Sequence, residues 1–155
     1  MSRLILVRHG EPTNAWGELG DPGLSERGRA QAEACAEELA PLGPLPVVVS
    51  PSRRTRETAA PLERRWGVTA RIEPAVGEVP IPSDAPDPRA WLETLLATPV
   101  DRWDEATSGW ATSVRDALAR IEGDAVVFTH FVAIRVATAS ECFPDHCGRF
   151  TIEVG

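Results

Sequence analysis

Leu4-Ile5-Leu6-Val7 runs directly into Arg8-His9-Gly10. A short, β-rich apolar run reads as a buried strand, which hands the residues that follow it to the loop at its carboxyl end. In open α/β sheets that end is where ligands bind. Arginine carries a rigid fork of donors suited to phosphate oxygens. Histidine near neutral pH is at once uncharged, nucleophilic and able to carry a proton. An Arg-His pair at a strand end is therefore a chemical signal as well as a structural one.

The rest of the chain alternates strand-like and helix-like segments. Strands are expected at 3–7, 47–49, 68–72, 125–128 and 150–154, the last at a sheet edge. Ser25 is a plausible cap for a helix reaching about Leu39, and Pro41, Pro44 and Pro46 end it. Further helices are expected at about 52–66, stopped by Gly67, at 88–97, at about 109–122, and from His130 to about Ala139. Five prolines between residues 73 and 88 mark a loop. Strands alternating with helices predict an α/β protein, a three-layer α/β/α sandwich with a mainly parallel central sheet.

At 155 residues the expectation is one domain spanning 1–155. No apolar run approaches a membrane span, and the amino terminus lacks a signal peptide's length and cleavage site, so a cytoplasmic location is expected. A formal net charge of −7 without a basic tail argues against nucleic-acid binding. All 16 basic residues are arginine, which removes a Walker-A lysine, a Schiff-base lysine and a lysine general base. Three cysteines, Cys35, Cys142 and Cys147, fit reduced thiols.

Two of the three histidines occupy equivalent positions. His9 follows the first strand and His130 follows Ala125–Phe128, so central parallel strands bring both imidazoles to one sheet edge. The second strand ends in Ser50-Pro51-Ser52-Arg53-Arg54-Thr55-Arg56, which adds arginines at a helix start, where backbone N–H groups and the helix dipole favour anions.

These segments together resemble the histidine phosphatase superfamily, the phosphoglycerate mutase-like fold. Arg8-His9-Gly10-Glu11 resembles the family signature. Ser50, Arg54, Thr55, Thr58 and Ala59 match its Ser-x-x-x-Arg pattern, and Asp21 to Gly28 resembles its Asp-x-x-Leu-Ser-x-x-Gly segment. Val126 to His130, with Arg135 beyond, resembles the second-histidine segment. The resemblance implies that His9 is a nucleophile forming phosphohistidine, that Arg8, Arg54 and His130 hold phosphate oxygens, and that Glu78 is the proton donor. Glu73 and Glu11 remain alternatives for the acid. Asn14 is a possible further phosphate ligand, one residue nearer to His9 than its family counterpart.

Such a site needs no metal or cofactor, because cationic side chains balance the phosphoryl charge. The same positive field would keep His9 neutral, while a carboxyl in a proline-walled loop could be desolvated enough to hold a proton.

Phe131 stands where many members have glycine, so its side chain is expected either to narrow the substrate pocket or to shift a backbone N–H away from phosphate. The segment at about 73–103 forms at most a short cap, which disfavours mutase activity. The expected partner is a small phosphorylated substrate, and the sequence carries no signal for an oligomeric state. Three rivals remain: a phosphohistidine or phosphoprotein phosphatase, a catalytically weak phosphate-binding protein on the same fold, and a zinc-stabilised regulatory module resting on the C-terminal Cys/His cluster. Trp16 and Trp91 are read as packing residues. Cys142, His146 and Cys147 lack a fourth ligand for structural zinc, and a structural role is favoured for them.

Overall fold

The structure, a computed structural model, describes residues 1–14 and 20–155; Trp16 lies outside the described residues. Five strands form one sheet in the order β3-β2-β4-β1-β5. They are β1 (Ser2–Arg8), β2 (Val47–Val49), β3 (Arg71–Ile72), β4 (Ala125–Thr129) and β5 (Arg149–Val154). β1 and β2 flank β4 in parallel, and β3 runs parallel to β2. β5 closes the edge beside β1 in antiparallel register, from Ser2↔Val154 to Val7↔Arg149.

The strand residues alternate between two cores, as a period of two requires. Ile5, Val7, Val47, Val49, Val126 and Phe128 face one side, against Ala36 and Leu39 of α1 (Glu26–Leu39) and Leu62 of α2 (Arg53–Trp66). Leu4, Leu6, Val48, Ala125 and Val127 face the other, against α4 (Glu105–Ala119) and α5 (Phe131–Thr138). Helices on both faces of a mostly parallel sheet give the expected α/β/α layering. α3 (Pro88–Ala97) lies apart. Its Leu92 and Leu95 form a third cluster with Val79, Phe131 and Val132.

Three element boundaries differ from the expectation, each for a local reason. β3 is two residues long, because the turn after Gly67 is tied back to α2: Val68 N–H donates to the Glu63 carbonyl and Ala70 N–H to Glu63 Oε2. α4 starts at Glu105, four residues early, because Asp104 caps it by accepting from Thr107 N–H at 2.8 Å. The proline-rich loop contains one 3₁₀ turn, Pro74–Val76, capped by Glu73.

The segment after β1 is fixed by close backbone packing. A Cβ on Gly10 would meet the Gly28 carbonyl oxygen at 2.8 Å, and a Cβ on Gly28 would collide with the Glu11 carbonyl oxygen. Ser25 caps α1 through Gly28 N–H, and its Oγ donates to Glu11 Oε1. Two distant motifs thus require glycine for one reason: their backbones touch.

Candidate active site

The carboxyl ends of β1, β2 and β4 converge on one cleft of about 700 Å³. Its inner end carries Arg8, His9, Arg54 and Glu78. Thr58 joins β1 to α2 there: its Oγ1 accepts from Gly10 N–H at 2.9 Å and donates to the Arg54 carbonyl at 2.7 Å. This brace sets the His9 loop against the first turn of α2, which carries Arg54. Asp21 caps the same turn, accepting from Arg53 N–H at 2.9 Å.

His9 is only 5% exposed. Its Nδ1 lies 2.8 Å from the Gly10 carbonyl, an acceptor, so the ring proton sits on Nδ1 and Nε2 keeps its lone pair. Burial first, then His130, push its pKa well below the ordinary histidine value, so the ring is neutral at pH 7. Nε2 is 3.4 Å from Arg54 Nε. An oriented, uncharged imidazole beside a guanidinium is what attack on an anionic phosphorus needs.

His130 is fully buried, its ring centroid 5.3 Å from that of His9. Its Nε2 is 2.8 Å from Ser50 Oγ, which also contacts Thr55 Oγ1 at 2.8 Å. Its Nδ1 faces Arg54 Nη2 at 3.2 Å and Glu78 Oε2 at 3.5 Å. A neutral ring accepts from Arg54 there, whereas a protonated ring donates to Glu78.

Of the three candidate acids, Glu78 alone sits within this group, with Oε2 3.4 Å from Arg54 Nη2. Glu73 is engaged elsewhere, capping Ala75 N–H and pairing with Arg71 at 3.4 Å. Glu11 lines the cleft but accepts from Ser25 Oγ and lies 3.8 Å from Arg27. The expectation that desolvation would leave Glu78 holding a proton does not hold against its neighbours. Burial does push its carboxyl up, but His130, Arg54 and His9 outweigh it and hold the pKa at about 2.

Arg8 reaches the cleft from the end of β1. Its Nη1 donates to the Pro144 carbonyl at 2.8 Å, and its buried Nε has no hydrogen-bond partner among the described residues. A buried, unpaired guanidinium donor is costly and is satisfied by an anion. Phe131 does not narrow the cleft, because its side chain turns inward. The ring packs edge-on against Phe143, centroids 4.4 Å apart, and its centroid lies 5.3 Å from the Arg8 guanidinium carbon. Asn14 lines the cleft, whereas Trp91 packs beside the α3 cluster.

His146 also lines the cleft, its ring centroid 6.0 Å from that of His9. Its cysteine neighbours in sequence favour a structural role, but they point elsewhere. Cys147 shares a thiol hydrogen bond with Cys35, and Cys142 approaches Thr138 Oγ1 at 3.6 Å. The available clue is the turn-forming run Pro144-Asp145-His146-Cys147-Gly148. Gly148 N–H donates to the Asp145 carbonyl, Arg8 N–H to the Gly148 carbonyl and Cys147 N–H to the Arg8 carbonyl, so this loop is tied to the end of β1. Among the described residues no cluster of three or more His, Cys, Asp or Glu is placed to hold a metal, and no helix is long and apolar enough to cross a membrane.

Residues 4–152 match the histidine phosphatase superfamily (branch 1), and the chain belongs to that family. Among its relatives, a glucosyl-3-phosphoglycerate phosphatase of Mycobacterium tuberculosis is 36% identical over 114 residues, 63% of this chain and 51% of that protein. Phosphoserine phosphatase 1 of Hydrogenobacter thermophilus is 31% identical over 114 residues, 71% of this chain and 51% of that protein. The chain thus spans about half the length of these relatives. The native structure of a mycobacterial glucosyl-3-phosphoglycerate phosphatase shares the fold, with a TM-score of 0.80 at 23% identity over 99% of this chain and 90% of that one. A second solved structure, TTHB049 from Thermus thermophilus, aligns with a TM-score of 0.75 at 27% identity, covering 97% and 93% of the two chains.

Proposed function

We propose that this chain is a metal-independent phosphomonoesterase working through phospho-His9. The observation that carries the reading is the His9 ring: its Nδ1–H is committed to the Gly10 carbonyl, leaving Nε2 unprotonated beside Arg54. Nε2 attacks phosphorus as the bond to the ester oxygen breaks. Arg8, Arg54 and His130 hold the non-bridging oxygens, and Asn14 adds a contact at the cleft wall.

Glu78 donates the proton that the departing alkoxide takes. The cations around Glu78 hold it ionised, its pKa at about 2. A phosphate dianion set against Arg54 and His130 cancels the charges that keep it there, so its affinity for a proton rises with substrate bound. The second step reverses the roles. The Glu78 carboxylate takes a proton from water, water oxygen bonds to phosphorus, the N–P bond breaks and inorganic phosphate leaves. Residues 73–103 serve as a short cap carrying Glu78 at one end. A cytoplasmic protein acting on a small phosphorylated metabolite is the setting that fits. The substrates in the relatives' names, glucosyl-3-phosphoglycerate and phosphoserine, are reference compounds to screen beside uncharged sugar and polyol phosphates.

The test is hydrolysis of an aryl phosphate by wild type and His9→Ala, both in chelator. Turnover that persists in chelator and disappears in His9→Ala supports the reading. Turnover that needs a metal, or that survives loss of His9, overturns it.

A further inference from the structure

We propose that this cleft selects phosphomonoesters whose leaving group is an uncharged, hydroxyl-bearing group such as a sugar or polyol, and disfavours carboxylated alcohols. The inference rests on the phosphatase reading and names its substrate class. It starts from the charge of the lining. Arg8 and Arg54 are the arginines that line the cleft among the described residues, and both stand at the phosphate end. A bound dianion uses both.

Beyond them the polar walls are Glu11, Asn14, Asp21, Ser52 and His146. Two of these are carboxylates. Burial, then Arg8, lower the pKa of His146 from the ordinary histidine value, so at pH 7 it offers a neutral imidazole rather than a cation.

The nearby arginines do not alter this balance. Arg27 lies 3.8 Å from Glu11 Oε2 but is 76% exposed, where water and salt screen it. Arg53 directs its Nε to Glu57 at 2.9 Å.

The cleft therefore offers a leaving group carboxylates, amide and hydroxyl groups, a neutral imidazole and the apolar faces of Ile81 and Leu92. Hydroxyls donate to such carboxylates, and the carbon skeleton of a polyol or sugar packs on the apolar faces. A carboxylate in the same place meets like charge from Glu11 and Asp21, with no further arginine lining the cleft among the described residues, and specificity then comes from repulsion as much as attraction.

Glycerol 3-phosphate and 3-phosphoglycerate test this directly, because they differ only in a terminal hydroxymethyl against a carboxylate. At low salt and pH 7.5, kcat/KM is expected to favour glycerol 3-phosphate by about tenfold or more. The ratio should narrow as salt is added, and narrow again in Glu11→Gln and Asp21→Asn. Equal or reversed values, or a ratio indifferent to both variants and to salt, overturn the proposal.

Calorimetric binding of both esters to His9→Ala reads the same selectivity without turnover. If the wild type hydrolyses nothing, the phosphatase reading fails alone, and the ratio of dissociation constants still decides this one. A ratio near one there overturns it.

Discussion

Arg54 Nη2 lies 3.4 Å from Glu78 Oε2, and both groups reach Nδ1 of the buried His130 ring, at 3.2 and 3.5 Å. The residue assigned to protonate the leaving group is thus paired with a residue assigned to hold phosphate. On the proposed mechanism, phosphate bound by Arg54 competes with this contact and so favours a proton on Glu78. One contact would then couple phosphate binding to readiness of the acid.

That coupling predicts a dependence on leaving group. Glu78→Gln is expected to lower hydrolysis of an alkyl phosphate by about 10²-fold or more, the usual scale of general acid catalysis. The first step with an aryl phosphate, whose leaving oxygen needs little protonation, should fall far less. Rapid-quench measurement of phosphoenzyme formation with both esters checks it; equal losses would remove the acid role.

Glu78, its pKa pushed up by burial but held down by His130 and then by Arg54, sets a stability window. Glu78 titrates at about 2 in the folded chain against an ordinary 4.5, so the unfolded chain binds more protons between those values. Its contribution is complete above about pH 4.5 and is lost as pH falls toward 2. Glu78→Gln should flatten the decline of the urea midpoint across that interval. A decline as steep as that of the wild type would show that other carboxylates govern it.

His9 acts on stability in the same direction at higher pH. Its folded pKa is depressed, so the unfolded chain takes up a proton first, and stability falls as pH drops below about 6.5. A pH titration of the His9 ring by NMR should give a midpoint clearly below 6.5 and show the neutral ring with its proton on Nδ1 at pH 7. A midpoint at or above the ordinary histidine value would contradict the burial argument.

Ser50 is expected to matter for activity through its contact with His130. Ser50→Ala leaves the buried Nε2 without its partner at 2.8 Å, which costs about 1–3 kcal/mol in a buried site. Activity should fall about tenfold, and Ser50→Thr should recover part of it by restoring a hydroxyl. NMR of the His130 ring separates this positioning role from simple destabilisation: the tautomer should change in Ser50→Ala and be restored in Ser50→Thr.

Gly28→Ala brings a methyl group against the Glu11 carbonyl oxygen. Strain of this kind in packed structure costs about 1–3 kcal/mol or more. A lower urea midpoint is expected, together with a raised KM, because the displaced segment adjoins the His9 loop. An unchanged midpoint would mean the α1 start yields freely.

Much of this site is legible in the chain itself. Three apolar runs end in Arg8-His9, Ser50 and His130, and parallel strands leave such ends little choice but to meet. Glu78 follows from the resemblance, and the structure adds its contact with Arg54. Its charge state is not legible, because proximity to proline speaks of burial and not of the cations across the gap. Nor is the direction of the Phe131 ring, because a position at a helix start does not tell which way a side chain turns. The approach of His146 depends on a loop folding back over β1, a long-range event with no local periodicity to betray it.

That loop has a consequence for how the protein comes into being. Arg8 exchanges backbone bonds with residues 147 and 148 and rests its side chain on the Pro144 carbonyl. On the ribosome, Arg8, His9, Arg54, Glu78 and His130 all emerge before the stretch that anchors Arg8. A nascent chain that has already displayed every motif thus still lacks a finished anion site. Competence waits until the 141–148 stretch folds back onto a strand made long before it.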